Sequence, residues 1–292
     1  MKSFAPLREA FAFLLSAVIL IFLSAGLKAE AAPTAQQLKF AVTSPWLYEV
    51  ASFIAGHQAG VRSLAVLTES GATAQTGRPR AGEIVIAFDP KDAARFKLTE
   101  NNKNLRMLYK KTPMNDEQLR AAFFDPAMLP FIAQETMKII AAADTKNYAY
   151  YQRRLAEFQS RIDSTMGVGR HMLASEKMLD LTGSSGTWVR SAISGVVRPP
   201  AAVWKSWLSG DTRALRAALD EAHRRGWLLL LDPWTPEVIR RAAIAYPYRL
   251  TLAAPPADVE FFVFLHEIFT AIANKTKAGP PAAAQKKAAQ KK

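Results

Sequence analysis

The sequence predicts an α/β protein of two lobes, each with a parallel sheet flanked by helices, joined by one long rigid helix. Three observations lead to this prediction. Short apolar segments alternate with amphipathic ones, as parallel strands alternate with their crossover helices. The alternation occurs once before and once after residues 144–166. Those residues repeat apolar side chains at steps of three and four, which indicates a helix between the two lobes.

The first 31 residues have the organisation of an export signal. Lys2 and Arg8 precede an apolar run over 11–23, and Ala29 and Ala31 supply the small residues of a cleavage site. We therefore predict a signal peptide over 1–31 and a periplasmic protein. The sequence has no cysteine, which excludes disulfides, thiolate metal ligands and a lipid-modified cysteine. An uncleaved membrane anchor is the alternative, although the apolar run is short for a membrane span.

The positive charge of the chain is concentrated at its end. The sequence carries a net charge of +13, and the tail over 276–292 is rich in lysine and lacks aromatic residues. We predict that this tail is disordered. It either contacts an anionic envelope surface or only increases solubility. Export argues against nucleic acid as a partner, and we expect a monomer.

The N-terminal lobe is predicted over 32–143. Its segments follow one another in the order expected for the strands and helices of a parallel sheet. They are strand-like 38–44, helical 46–54, apolar 63–68, a polar loop over 69–82, strand-like 83–88 and 105–110, and helical 128–143.

The connecting helix is predicted over 144–166. Its apolar stripe consists of Tyr148, Tyr151, Leu155, Phe158, Ile162 and Met166. Asp144 and Thr145 can cap its start, and Gly167 and Gly169 are expected to end it. A helix of this length spans about 30 Å, which is the diameter of a small domain.

The C-terminal lobe is predicted over 167–275 by a less regular version of the same pattern. Its segments are helical 211–225, strand-like 227–233, helical 235–246, strand-like 249–254 and helical 259–274. In open parallel sheets, ligands bind outside the carboxyl ends of the strands. The loops after Thr68, Phe88 and Leu231 are therefore the first candidates for a binding site, and the stretch after residue 110, which turns through Asp125 and Pro126 before a helix, is another.

Several segments, taken in their order and spacing, resemble one family. The segments are 42–56, 70–79 with the EIVIAFDP that follows shortly after, 125–144, 147–158, 174–183, 223–226 and 228–243. Together they resemble the periplasmic zinc- and manganese-binding solute receptors of ABC importers over residues 38–275. The resemblance implies two α/β lobes joined by one helix, a divalent metal ion in the cleft and an ABC permease as partner. It also implies a binding protein rather than an enzyme.

The resemblance also implies four metal-ligand positions, and most of them are replaced here. The first histidine position corresponds to Gln75, and the Asp-Pro-His of the second corresponds to Asp125, Pro126 and Ala127. Met172 occupies the third, with His171 beside it, and Asp232 before Pro233 retains the fourth. The implied metal ligands are thus Asp232 and His171, and the implied ligand-binding residues are Gln75, Met172 and Asp232.

A zinc site needs three or four donors, and Asp232 with His171 supplies two. The sequence therefore predicts a divergent receptor with an atypical or weakened site for zinc or manganese. One alternative is a non-metal-binding accessory or interaction protein of the cell envelope that keeps the receptor fold. Asp232 also has its own alternative, as a turn or cap residue before Pro233.

Other motifs give no catalytic prediction. Ser185 lies outside any G-x-S-x-G frame, and Thr270 stands where a zinc-protease helix beginning at His266 would need its second histidine. Five of the six tryptophans fall between 188 and 234. They indicate either core packing or a surface on which a flat ligand stacks.

Overall fold

The computed structural model describes residues 37–111, 114–256 and 259–280. The predicted signal peptide and residues 281–292 of the predicted tail lie outside the described residues. The fold-class prediction is confirmed: two four-stranded parallel sheets are flanked by helices and connected through one long helix. No helix in the described ranges combines the length and hydropathy needed to cross a membrane.

The first lobe is built on a sheet of strand order β2-β1-β5-β6. Its elements are β1 (Leu38–Val42), α1 (Pro45–Ala55), β2 (Ala59–Ser63), β3 (Ala65–Leu67), β4 (Thr73–Gln75), β5 (Ile84–Ala87), α2 (Pro90–Ala94), β6 (Leu105–Met107), α3 (Asp116–Phe123) and α4 (Leu129–Ala143). Strands β3 and β4 form a separate antiparallel hairpin, with Ala65 opposite Gln75. The predicted polar loop over 69–82 thus contains a strand, which returns along the apolar segment 63–68.

The second lobe is built on a sheet of strand order β10-β9-β7-β8. It follows a 3₁₀ turn (Thr145–Asn147) and the long helix α5 (Tyr148–Met172). Its elements are β7 (Met178–Asp180), α6 (Gly186–Ala192), β8 (Val196–Val197), α7 (Ala201–Leu208), α8 (Thr212–Arg224), β9 (Leu228–Leu231), α9 (Glu237–Ala243), β10 (Arg249–Thr251) and α10 (Phe261–Ala278).

One continuous core runs through both lobes. Alternate residues of a strand face opposite sides of the sheet. Phe40 and Val42 of β1 accordingly join the same buried cluster as Leu228 and Leu230 of β9, through helices α1, α4, α5 and α10. The intervening Leu229 and Leu231, together with Leu215 and Ile239, form a separate outer core under the helices of the second lobe. The two sheets are therefore connected by shared packing and not by a single hinge.

The long helix differs from its prediction at both ends. It starts at Tyr148, after the 3₁₀ turn over Thr145–Asn147, and Asp144 caps no helical N–H. The Asp144 carboxylate instead accepts hydrogen bonds from Asn147 Nδ2 (2.7 Å) and the hydroxyl of the buried Tyr151 (2.8 Å). Burial, assisted by Asp144, raises the pKa of Tyr151. The expectation that Gly167 and Gly169 end the helix is wrong, since both lie inside α5.

Gly169 has a packing role instead. A Cβ atom at this position would lie 2.6 Å from the ring of Phe269 on α10, whereas one at Gly167 would meet nothing within 4 Å. The Phe269 ring in turn stacks on Trp188 of α6, with centroids 5.9 Å apart. The absence of a side chain at Gly169 therefore allows α5 and α10 to approach closely.

The last helix continues into the predicted tail. Helix α10 ends at Ala278, so residues 276–278 are helical and not disordered. Gly279 follows with a φ of 68° and donates its N–H to the carbonyl of Thr276 (2.9 Å). Glycine adopts a positive φ at no steric cost and so ends a helix readily, which the lysine-rich composition did not indicate.

Glu49 is the one charged residue of helix α1. Burial raises the pKa of Glu49 to about 7, and the nearby Glu260 adds to the effect. The folded protein therefore binds a proton here that the unfolded chain has released above about pH 4.5.

We expect opposite effects from the two helix glycines. Gly167→Ala should stabilise the protein by about 0.5–1 kcal/mol, because alanine favours the helix. Gly169→Ala should destabilise it by about 1–3 kcal/mol through the clash with Phe269. Urea unfolding of both variants measures the difference. Equal stabilisation by the two substitutions would contradict the packing role of Gly169.

Glu49 predicts a pH dependence of stability. Its folded pKa is raised, so its favourable contribution is complete below about pH 4.5 and is lost as pH rises towards 7. Glu49→Gln should therefore raise the free energy of unfolding at pH 8, by about 1–3 kcal/mol, and leave it nearly unchanged at pH 4. Denaturant unfolding at both pH values tests this, and an equal effect at both would refute it.

Candidate functional site

The candidate site is a cavity of about 520 Å³ at the carboxyl ends of the strands. Thr43 follows β1, and Trp234 follows β9 of the other lobe. The turn between β3 and β4 lines it from Ser70 to Thr73, so the predicted loops after Thr68 and Leu231 both contribute. Arg95 and Phe96, just after α2, also line the cavity, so the predicted loop after Phe88 leads to a third part of its wall. The cavity thus lies where the two lobes meet.

Asp232 is next to this cavity but faces the protein interior. Its side chain is fully buried, and six donors lie within hydrogen-bond distance of its two oxygens. Oδ1 accepts from the N–H of Gly183 (2.8 Å) and Trp234 (3.1 Å) and the hydroxyl of Thr235 (3.1 Å), and Oδ2 from the N–H of Ser184 (2.8 Å) and Ser185 (3.0 Å) and the Ser185 hydroxyl (3.0 Å). A carboxylate offers about four lone-pair sites, so Asp232 has none left for a metal ion.

These contacts give Asp232 a structural position. The carboxylate ties the loop that follows β7 to the turn that follows β9. The arrangement agrees with the alternative interpretation of Asp232, as a turn or cap residue before Pro233. Because Trp234 belongs to this turn, Asp232 also sets the place of the Trp234 ring.

The structure does not bring the other predicted site residues to Asp232. His171 and Met172 form the exposed end of α5 and precede β7, whereas Asp232 follows β9. Since β7 and β9 are parallel, with Asp180 opposite Leu230, His171 and Met172 lie towards the amino ends of the strands and Asp232 lies at their carboxyl ends. The fold therefore separates them by the length of a strand.

Gln75 is the predicted site residue that lines the cavity. Its amide Nε2 donates to the carbonyl of Gly77 (3.0 Å). Ala127 is exposed and contributes only its backbone N–H, which donates to Asp125 Oδ1 (2.9 Å). Within 37–111, 114–256 and 259–280, no three His, Cys, Asp or Glu residues converge as metal ligands do.

Arg120 is a cavity residue that sequence reasoning did not identify. It lies on α3, half-buried, with its guanidinium 5.6 Å from the Trp234 ring centre and Nε 3.4 Å from Ser184 Oγ. Burial lowers the pKa of Arg120, while Glu117 and Asp232 oppose that shift. No periodicity or motif marks this arginine, because its importance depends on the loop of the other lobe.

Trp234 connects the two lobes. Its indole Nε1 donates to the carbonyl of Gly71 (2.8 Å), and its ring packs against Trp46 and Phe124, with centroids 5.7 and 5.9 Å apart. Gly71 has a φ of 75°, and a Cβ atom there would lie 2.6 Å from Trp234 Nε1. Glycine is therefore needed at this contact for both reasons.

The tryptophans divide between the two expected roles. Trp188 and Trp207 are fully buried core residues. Trp234 is part of the cavity wall, and Trp204 lies 3.8 Å from the guanidinium of Arg198. Trp204 and the fifth, Trp227, pack against the outer core and each has an arginine over its ring. Core packing thus describes four of the five, and Trp234 is the one that borders the cavity.

A second charged cluster adjoins the loop held by Asp232. Asp180, fully buried at the end of β7, pairs with Arg190 and, at 3.4 Å, with Arg198. Arg198 Nη1 also donates to the carbonyl of Thr182 (2.5 Å). Arg190 and Arg198 thus lie beside the start of the loop that follows β7, and Arg120 of the first lobe lies beside Ser184 of the same loop.

Comparison with known proteins gives a fold and no sequence family. No protein-family profile and no curated protein sequence matches the chain. Several solved structures match it in fold. ZnuA matches with a TM-score of 0.56 at 16% identity, covering 82% of this chain and 98% of ZnuA. FpvC of Pseudomonas aeruginosa, an SBP in complex with Ni²⁺, matches at 0.54 and 14% identity, covering 84% and 98%. Lmb of Streptococcus agalactiae, a laminin-binding protein with adhesin and metal transporting activity, matches at 0.56 and 12% identity, covering 82% and 99%. At these identities the chain shares their fold.

Proposed function

We propose that this protein is an exported solute receptor that works with an ABC-type importer. The observation that carries the proposal is the cavity of about 520 Å³ at the carboxyl ends of both sheets. Its volume is in the range of small-molecule sites. The shared fold supports the assignment, since FpvC is an SBP and Lmb has metal transporting activity. In this role the protein binds and carries a ligand without covalent chemistry.

An accessory protein that retains the fold is the second candidate. A cleft filled by Met172, Ala127 and Leu129 would favour it. Leu129 is buried, but Met172 is 38% exposed and Ala127 is exposed too. The polar lining of the cavity, with Thr73, Gln75 and Arg120 among others, favours the receptor instead.

The donor set of the cavity does not fit a tightly bound divalent cation. Such an ion needs several carboxylate, imidazole or carbonyl donors around one point. The charged residues of the cavity wall are Arg95, Arg120 and Asp116, and Asp116 is already paired with Arg95. We therefore propose that zinc and manganese are not the physiological cargo, or are bound only weakly.

Metal binding tests this part directly. Calorimetric titration of the chelator-stripped protein with zinc, manganese and copper(I) should show no submicromolar binding. Gln75→Ala should leave any weak heat unchanged. Stoichiometric submicromolar binding that Gln75→Ala or Asp232→Asn removes would contradict the proposal.

The stability of Asp232→Asn in the absence of metal separates the two roles of this carboxylate. If Asp232 fixes two loops, the substitution should destabilise the metal-free protein by about 2–4 kcal/mol, because several buried donors lose their charged acceptor. A carboxylate reserved for a metal would instead be neutral or unfavourable without it. Denaturant unfolding in chelator measures this, and an unchanged or raised stability would refute the structural role.

The receptor role is tested by ligand retention. The protein is incubated with a small-molecule extract of the producing cells, separated by gel filtration and examined by mass spectrometry. One retained compound per chain is expected. Thr73→Trp, which fills the cavity, should abolish retention, whereas the exposed Thr99→Trp outside the cavity should not. Retention of nothing, or equal retention by Thr73→Trp, would favour the accessory role.

A further inference from the structure

We propose that the cavity binds a small organic anion, whose carboxylate or phosphate group is held by Arg120 and whose body rests against Trp234. This inference rests on the proposed receptor function and names the chemical class of its ligand. It replaces the divalent cation that the fold would suggest with a ligand of opposite charge.

The first argument is the surplus of hydrogen-bond donors on Arg120. A guanidinium has five N–H groups and no acceptor. Among the described residues, Arg120 forms no salt bridge within 4 Å, and its hydrogen bond to Ser184 Oγ is long (3.4 Å). A half-buried guanidinium of this kind is suited to a bidentate contact with a carboxylate or phosphate.

The second argument is that two further buried donors beside Arg120 lack acceptors. Ser44 Oγ (residue 3% exposed) and Trp46 Nε1 (2%) have no hydrogen-bond partner among the described residues. With Arg120, they line a small pocket that shares Thr43 and Thr73 with the main cavity. Asp92 and Asp116 also line this pocket, but neither accepts from Trp46, whose indole N–H can only donate and is left without an acceptor. The pocket volume of about 10 Å³ admits about one water-sized group.

The start of α1 adds to the same preference. Ser44 is the N-cap residue of this 11-residue helix, and its hydroxyl makes no capping bond. The partial positive charge at a helix N-terminus stabilises anions. The unpartnered Ser44 and Trp46 donors at this terminus thus face the same pocket as Arg120.

The third argument is that three carboxylates near the cavity already have partners of their own. Asp116 pairs with Arg95. Asp92 accepts from the Thr43 hydroxyl and from the N–H of Phe88 (3.0 Å). Asp232 is held by its six donors. Glu117, three residues before Arg120 on α3, acts on it through its charge but is exposed and forms no salt bridge with it within 4 Å. The N–H groups of Arg120 therefore remain available to a ligand.

The size and walls of the cavity indicate that the anion is organic. A volume of about 520 Å³ is far larger than an inorganic oxyanion requires. Trp234 and Phe96 supply aromatic surface, and Thr73 and Gln75 of the β3–β4 hairpin supply polar groups. A ligand with an oxyanion at one end and a flat or apolar body at the other matches both parts.

The test uses four probes and tryptophan fluorescence, since Trp234 and Trp46 border the site. Benzoate and phenyl phosphate present the two oxyanions on a ring, benzamide is the neutral isostere of benzoate, and inorganic phosphate lacks the ring. We expect saturable binding of benzoate or phenyl phosphate below about 10 mM, and binding of benzamide and of inorganic phosphate at least about tenfold weaker. The stronger of the first two identifies the head group.

Variants locate the site. Arg120→Gln should weaken binding of the aromatic anion at least about tenfold, and Arg120→Lys, which keeps the charge but not the fork, should give an intermediate affinity. Arg153→Gln makes the same charge change on an exposed face of α5 and should have no effect. If Arg120→Gln fails to fold, as thermal melting would show, Arg120→Lys and Ser44→Ala test the same contact.

Three results would overturn the inference: no saturable binding of either aromatic anion, equal binding of benzamide, or unchanged affinity in the Arg120 variants. The extract experiment distinguishes this failure from failure of the receptor role. A retained neutral or cationic compound would leave the receptor role intact and refute the anion. Retention of no compound would refute the receptor role itself.

Discussion

The hydrogen bonds to Asp232 are the constraint on which the cleft depends. A buried carboxylate without partners is very costly, and here six donors from two loops surround it. The contact fixes the loop after β7 against the turn after β9, and it places Trp234 at the junction of the lobes. The same saturation that makes Asp232 a good structural residue makes it a poor metal ligand.

The packing of the helices supports this arrangement over a longer range. Because α5 and α10 meet at Gly169 and Phe269, the inner faces of both sheets share one core. Trp234 adds a direct bond between lobes through the carbonyl of Gly71. Ligand binding in such a structure should move the loops and side chains around the cavity more than the lobes, since a shared core resists displacement.

Much of the fold was predictable from the sequence, because strand and helix periodicities are local. The role of Gly169 was not, since its neighbour Phe269 is 100 positions away in the chain. The apolar stripe of α5 was largely right: Tyr151, Phe158, Ile162 and Met166 are buried, although Tyr148 is 49% exposed.

The site was harder to predict than the fold. Gln75, His171 and Met172 were all assigned by the family resemblance, and Gln75 lines the cavity whereas His171 and Met172 lie at the exposed end of α5. A match of positions along the chain does not show at which end of a strand a residue lies. Arg120 was missed because its charge matters only next to Trp234 and Ser184, which come from the other lobe.

The most direct test of the account is a crystal structure with 4-bromobenzoate, in which anomalous scattering locates the bromine. The account predicts a carboxylate within hydrogen-bond distance of Arg120 and a ring against Trp234. A bromine position outside the cavity, or a metal ion bound to Asp232, would contradict it.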